Sequence, residues 1–167
     1  MALDKGVEAV LNKQLALEFG AETVYLGMAV HFEQEIYKGF AAWFRKQARE
    51  ERKHALKILD YMLDRGGHPV LSATSAPKVH YAKILDAFQS AFAHEQANTA
   101  GIYACLAAAK TADDPATMEM LQWFVKEQVE EEKWSAEYAQ MVERIGSSIG
   151  GMYQFDHRLE KAAKEEG

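Results

Sequence analysis

Along most of this chain apolar side chains return every three or four residues, and near the middle of each such stripe stands a polar residue. The stretch "REERKHALKILDYM", Arg49 to Met62, is an example. Extended backward, its stripe is Phe40, Phe44, Gln47, Glu51, His54, Ile58 and Tyr61. That spacing is one face of an α-helix. A face that should bury itself therefore passes through a carboxylate and an imidazole.

Four long segments carry such stripes. The first runs from about Asp4, which has the residue type of an N-cap, to about Tyr37, along Val7, Leu11, Gln14, Glu18, Ala21, Tyr25, Met28 and Phe32. The second runs from about Gly39 to Arg65 and is stopped by Gly66, Gly67 and Pro69. The third, from near Tyr81 to near Thr111, follows Ile84, Phe88, Ala91, Glu95, Asn98, Ile102, Cys105 and Ala109. The fourth opens with the cap-and-first-turn pair Asp114 and Pro115. It runs to about Ile145 along Leu121, Phe124, Gln128, Glu131, Ser135, Tyr138 and Val142. A short fifth helix is predicted after Gly150 and Gly151, from about Met152 to Lys164.

Short turns make helices one and two antiparallel, and likewise three and four. The intervening "GHPVLSATSAPKVHYAK" has no helical period. Roughly 16 extended residues reach over 50 Å, and a helix of ~28 residues is about 42 Å long. This linker can therefore cross the whole bundle and make helices two and three parallel. The predicted fold is all-α: a four-helix bundle with one long crossover and a short C-terminal fifth helix, in one domain over 1–167.

The mid-stripe residues Glu18, Glu51, Glu95 and Gln128 have a regular spacing. Glu18 to Glu51 and Glu95 to Gln128 span the same interval, so the two hairpins read as pseudo-copies. Glu18 then matches Glu95, Glu51 matches Gln128, and His54 matches Glu131, all near one depth. Unpaired buried carboxylates are costly and repel one another. Arg49, Arg52 and Lys53 lie off the stripe, and no base on the stripes neutralises the acids. Either the acids are protonated or cations are bound. Two divalent ions would balance Glu18, Glu51, Glu95 and Glu131, and oxygen ligands with one imidazole suit iron or manganese better than a closed zinc site.

Over essentially its whole length the sequence resembles the ferritins, specifically the non-haem bacterial and archaeal type. The matching elements are "LALEFGAETVY", "REERKH", "AHEQ" and "LQWFVKEQVEEEK". The resemblance implies a ferroxidase centre in which Glu18, Glu51 and His54 bind one iron. Glu51, Glu95 and Gln128 would serve the second, with Glu51 bridging and Tyr25 beside the pair as hydrogen-bond partner and electron donor. It also implies a third iron site at Glu50, Glu127, Glu130 and Glu131. Bacterioferritins carry a second Glu-x-x-His on the fourth helix and a haem-binding methionine. Here the corresponding residues are Gln128 to Glu131 and Arg52, so no haem is expected. Channel acids known from animal ferritins correspond to Met118 and Leu121, which puts an acidic three-fold entry route in doubt.

The expected function is iron storage and detoxification by a ferroxidase that oxidises Fe(II) with dioxygen or hydrogen peroxide. The resemblance implies a 24-subunit homo-oligomeric cage. The alternatives are a diiron oxidase or peroxidase without storage, and a metal-free structural bundle. A net charge of −6 argues against nucleic-acid and anionic-membrane partners. The single cysteine, Cys105, cannot form an intrachain disulfide. "MALDKGVEAV" lacks a signal-peptide pattern, and a cytoplasmic setting is expected. Cys105 reads as a packed core thiol, and Trp123 and Trp134 as packing or interface residues. His31, His68, His80, His94 and His157 read as surface or capping residues.

Overall fold

Asp4 opens the first helix by turning its carboxylate back onto the N–H groups of Gly6 and Val7, at 2.8 and 3.1 Å. This satisfies two donors that a helix start leaves without partners. The structure, a computed structural model, describes residues 2–165. Residues 1, 166 and 167, which the single-domain reading includes, lie outside the described residues. The elements are α1 (Lys5–Gln34), α2 (Lys38–Asp64), α3 (Ile84–Thr111), α4 (Pro115–Ile145) and α5 (Ile149–Glu165). No helix among the described residues is long and apolar enough to cross a membrane.

The first three helices end alike. A residue in the left-handed region follows the last turn: Ile36 (φ 64°), Gly66 (φ 67°) and Asp113 (φ 51°). The next N–H then reaches back over five residues, Tyr37 to Phe32, Gly67 to Met62, and Asp114 to Ala109. This is the Schellman closure, for which glycine is the usual choice. The isoleucine explains why α1 stops at Gln34 and not near Tyr37, since a β-branched residue is a poor signal for that conformation. α3 starts at Ile84, later than expected, where the Asp86 carboxylate accepts from the Lys83 N–H. α5 starts at Ile149 and keeps Gly150 and Gly151 in its first turn, with the Ser148 hydroxyl accepting from the Gly151 N–H.

The predicted topology holds. α1 packs on α2 and α3, and α3 packs on α4. Cys105 bonds to the Val10 carbonyl and Tyr25 to Glu95, so α1 and α3 run antiparallel. The crossover is fastened at both ends of α1. Asn12 holds the His68 carbonyl and the Val70 N–H, while Pro77 and Lys78 press so closely on Gly27 that a Cβ there would overlap the Lys78 carbonyl. Arg65 grips both oxygens of Asp114 at 3.1 Å, linking the end of α2 to the start of α4. Burial pushes the Asp114 carboxyl up, but Arg65 and Thr117 outweigh it and hold the pKa at about 2.

The stripes are inside almost as drawn, with Tyr61, Ile84 and Tyr138 half-buried. They form two apolar clusters. One lies around Leu11, Leu15, Ile58, Ile102 and Phe124. The other lies around Phe32, Phe40, Phe44, Phe88 and Phe155. α5 completes the second cluster. Its Asp156 accepts from the Phe40 N–H at 2.8 Å and so caps α2, whose own N-cap, Tyr37, makes no side-chain cap. Gly39 allows this, because a Cβ there would overlap the Asp156 carbonyl. Asp156→Ala should lower stability by about 1 kcal/mol, the usual value of a lost cap, and Gly39→Ala by more. Urea unfolding, with hydrogen exchange at the Phe40 amide, checks both.

Candidate metal centre

Between the two apolar clusters lies a layer of polar side chains, one or more from each of the four long helices. Glu18, Glu51 and Glu95 are fully buried, His54 and Gln128 nearly so, and Glu131 is 8% exposed. The matched depth expected of the two hairpins is therefore present. Placing carboxylates where water cannot reach them is costly unless each finds a partner. The partners here are incomplete.

Glu18 accepts from the Gln14 amide at 2.7 Å through one oxygen, and its other oxygen has no hydrogen-bond partner. Neither oxygen of Glu51 has one. Glu95 accepts from the Tyr25 hydroxyl. The Gln128 amide N–H groups face the Glu95 carboxylate and carbonyl at 3.3 Å and Thr99 at 3.2 Å, and the Gln128 carbonyl oxygen is left without a partner. His54 Nδ1 stands 3.4 Å from Glu51 and 3.8 Å from Glu18 and closes a hydrogen bond with neither. The open atoms converge. Among the described residues, three groups have ligand atoms within 4.8 Å of one another. These are Glu18–Glu51–His54, Glu51–Glu95–Glu131, and His54–Glu127–Glu131. Glu51 belongs to the first two and lies between them.

The electrostatics fit a site short of positive charge. Burial, then Glu18 and Glu95, push the Glu51 carboxyl well up; the His54 contribution opposes this and does not prevail. Burial and the neighbouring Glu131 push Glu95 up to about 8, although Tyr25 and Gln128 pull the other way. Burial alone would lower His54, but the facing Glu18 and Glu51 carboxylates outweigh it and raise the imidazole to about 11. Burial, and then Glu95 and Glu51, push the Tyr25 hydroxyl well up. Each shift lowers the negative charge or keeps a positive one, as bound cations would do in place of protons.

Glu50, Glu127, Glu130 and Glu131 all line one cleft between α2 and α4. They are not equivalent there. Glu127 and Glu131 come to ligand distance with His54, whereas Glu50 takes Lys53 Nζ at 2.8 Å. Leu121 is fully buried in the bundle and Met118 packs on the same cluster.

The structure adds to these expectations and corrects one of them. No base lies on the stripes, but one lies beside them: Lys46 is buried, lies over the Trp43 ring at 4.7 Å and lines the cleft with Glu50 and Glu131. His31 is buried against Tyr81 and is not a surface residue. Trp134 donates its indole N–H to Glu131, and Trp123 sets its ring edge-on to His54 at 5.5 Å, so both contact the polar layer itself. Gln14 and Gln47 stand on the stripes, four residues before Glu18 and Glu51. Their polar character on an apolar face was the signal that they belong with the site. Cys105 is buried as expected.

A sequence profile of the ferritin-like domain matches residues 8–145. The chain belongs to the ferritin family. Bacterial non-heme ferritins of Staphylococcus epidermidis and Staphylococcus aureus are each 38% identical over 157 residues, covering 94% of this chain and 95% of the relative. An open-pore ferritin of the archaeon Archaeoglobus fulgidus superimposes with a TM-score of 0.93 at 33% identity, covering 95% of this chain and 98% of that one. A form of the same archaeon's ferritin engineered to be closed gives 0.92 at 33% identity. These likenesses span the crossover as well as the four long helices.

In this ferritin-family bundle the raised acids make a signed prediction. Glu95 rises from the ordinary 4.5 to about 8. Its contribution to metal-free stability is thus present below about pH 4.5 and is lost as pH climbs through about 8. His54 works in the same direction, its contribution fading as pH rises through about 11. A divalent ion held by these groups would replace the protons and bind the folded state selectively. Adding Fe(II) without oxygen should therefore raise the melting temperature, and by more at about pH 8 than at about pH 6. Calorimetric melts at the two pH values check both the sign and the trend.

Proposed function

We propose that this ferritin-family protein stores iron and is a ferroxidase, with Fe(II) as its substrate. The observation that carries the reading is the set of buried, unpartnered oxygens on Glu18, Glu51 and Gln128 that converge with His54 and Glu95 at one depth. A purely structural bundle has no use for such atoms, because each lowers its stability. In this reading Glu18, Glu51 and His54 take one Fe(II). Glu51, Glu95 and Gln128 take the other, with Glu51 bridging. Tyr25 orients Glu95 and stands ready as an electron donor. The protein supplies position and charge, and the irons supply the electrons that reduce dioxygen or hydrogen peroxide.

Glu50, Glu127, Glu130 and Glu131 form the third site of this proposal, in the cleft beside the pair. The cleft is more open than the core, and Glu50 already has Lys53 as a partner, so iron there is held more weakly. Ferric product passes to the interior of a 24-subunit cage in the cytoplasm and mineralises. The names of the relatives, all ferritins, support storage over a diiron oxidase that stores nothing. Aerobic Fe(II) addition to metal-free protein, with particle size and iron content measured together, tests the whole reading. A small particle that holds no more than a few irons per chain rejects storage.

Two sets of variants test the parts. Glu51→Ala and His54→Ala should remove fast Fe(II) oxidation, by more than the roughly 10–100-fold typical of outer partners of a metal, while helical content stays. Glu50→Ala with Glu130→Ala should leave the first rapid phase nearly intact and change the Fe(II) consumed per dioxygen. Stopped-flow absorbance with an oxygen electrode separates the two. Loss of the rapid phase in the second set assigns those glutamates to the primary pair.

A further inference from the structure

We propose that Gln14 is a positioning residue that fixes which oxygen of Glu18 faces the metal, and that Gly101 exists at its position to make room for it. The inference rests on the reading of Glu18 as a metal ligand. Gln14 lies one turn before Glu18 on the same face of α1 and is 1% exposed. Its Nε2 donates to Glu18 Oε1 at 2.7 Å. A carboxylate can only accept, so the amide must turn its N–H side toward Glu18. The other Glu18 oxygen, Oε2, is left free and points toward His54 Nδ1. The two oxygens are thereby made unequal: one is held by the protein and one is offered.

The arrangement has a cost on the far side. Gln14 Oε1 is buried without a hydrogen-bond partner and is directed at α3. There it meets Gly101, where a Cβ would overlap that oxygen and come within 3.1 Å of Leu17 Cδ1. The close approach of α1 and α3 thus leaves space for an amide whose carbonyl gains nothing from being there. Such a residue is better explained by what its N–H does than by packing.

The second hairpin partner supplies an internal comparison. Gln47 stands at the same offset before Glu51, yet both oxygens of Glu51 are without partners. Glu51 is shared by two of the candidate ligand groups and Glu18 belongs to one. A carboxylate that must serve two ions needs both oxygens, whereas one that serves a single ion can have the other held.

Co(II) is the probe, titrated into metal-free full-length protein, with the binding steps and the visible d–d spectrum recorded. Helical content and particle size are measured on every variant. Glu18→Ala is the control and should weaken one of two binding steps. Gln14→Leu should weaken that same step by about tenfold, as loss of an outer partner does, shift the d–d bands as Glu18 loses its fixed orientation, and leave the other step unchanged. Gly101→Ala meets the far end of a flexible side chain and so keeps the helices, but it should swing the amide away and reproduce the loss. In the Gln14→Leu background Gly101→Ala should add nothing, because both act through one hydrogen bond. If Glu18→Ala weakens binding while Gln14→Leu retains wild-type affinity and spectrum, Gln14 is filler and the inference is overturned, with the metal reading intact. Effects of the two changes that simply add overturn it as well. If Glu18→Ala itself changes no step, the metal reading fails and this one with it. Should Gln14→Leu not fold, Gly101→Ala decides alone: selective loss of one step supports the inference and wild-type binding overturns it.

Discussion

The architecture depends on keeping ionisable groups dry at mid-height without losing the bundle. Removing a carboxylate from water costs several kcal/mol in practice, and this layer holds four glutamates and a histidine. They are tolerated because apolar clusters flank them above and below. Leu11, Ile58, Ile102 and Phe124 lie on one side, and Phe32, Phe44 and Phe88 on the other. Each cluster draws residues from all four long helices. Together they fix the helix register, and register decides whether Glu51 lies between Glu18 and Glu95 or a turn away from them.

Much of this was legible in the residues. The threes-and-fours spacing gave each helix its inward face, and the equal intervals between mid-stripe acids gave their common depth, because hydrophobic periodicity is a direct image of burial. Helix ends were less legible. The stop at Gln34 depends on Ile36 entering a left-handed conformation that its side chain disfavours, so the local sequence carried no warning. The cap of α2 was invisible for another reason: it comes from Asp156, far along the chain. Lys46 was missed because helical spacing places it beside the stripe. A long aliphatic stem nevertheless lets it lie along Trp43 and enter the cleft.

The aromatic residues around the layer are more than filler. Tyr25 stacks on Phe44 and leans on Trp134, which in turn meets Trp43 and Tyr138. On the other side Trp123 and Phe124 present their rings edge-on to His54. Bulky rings set the distance between α2 and α4, and indole and phenol groups still reach the acids as donors. Glu131 and Glu95 are held in this way, by Trp134 and Tyr25.

α1 and α3 approach closely, while among the described residues α2 and α4 make no comparable backbone approach along their length. The polar layer is thus enclosed on one side by helix backbone and on the other by side chains bordering an open cleft. Its two halves therefore differ in how closely water can approach. Charge at Glu18 is answered by one amide, that of Gln14, and charge at Glu51 by no hydrogen-bond donor among the described residues. Charge at Glu127 borders a cleft that also holds Lys46 and Lys53. A change of one unit of charge is consequently felt at longer range on the first side than on the second, where the surroundings relax and screen it.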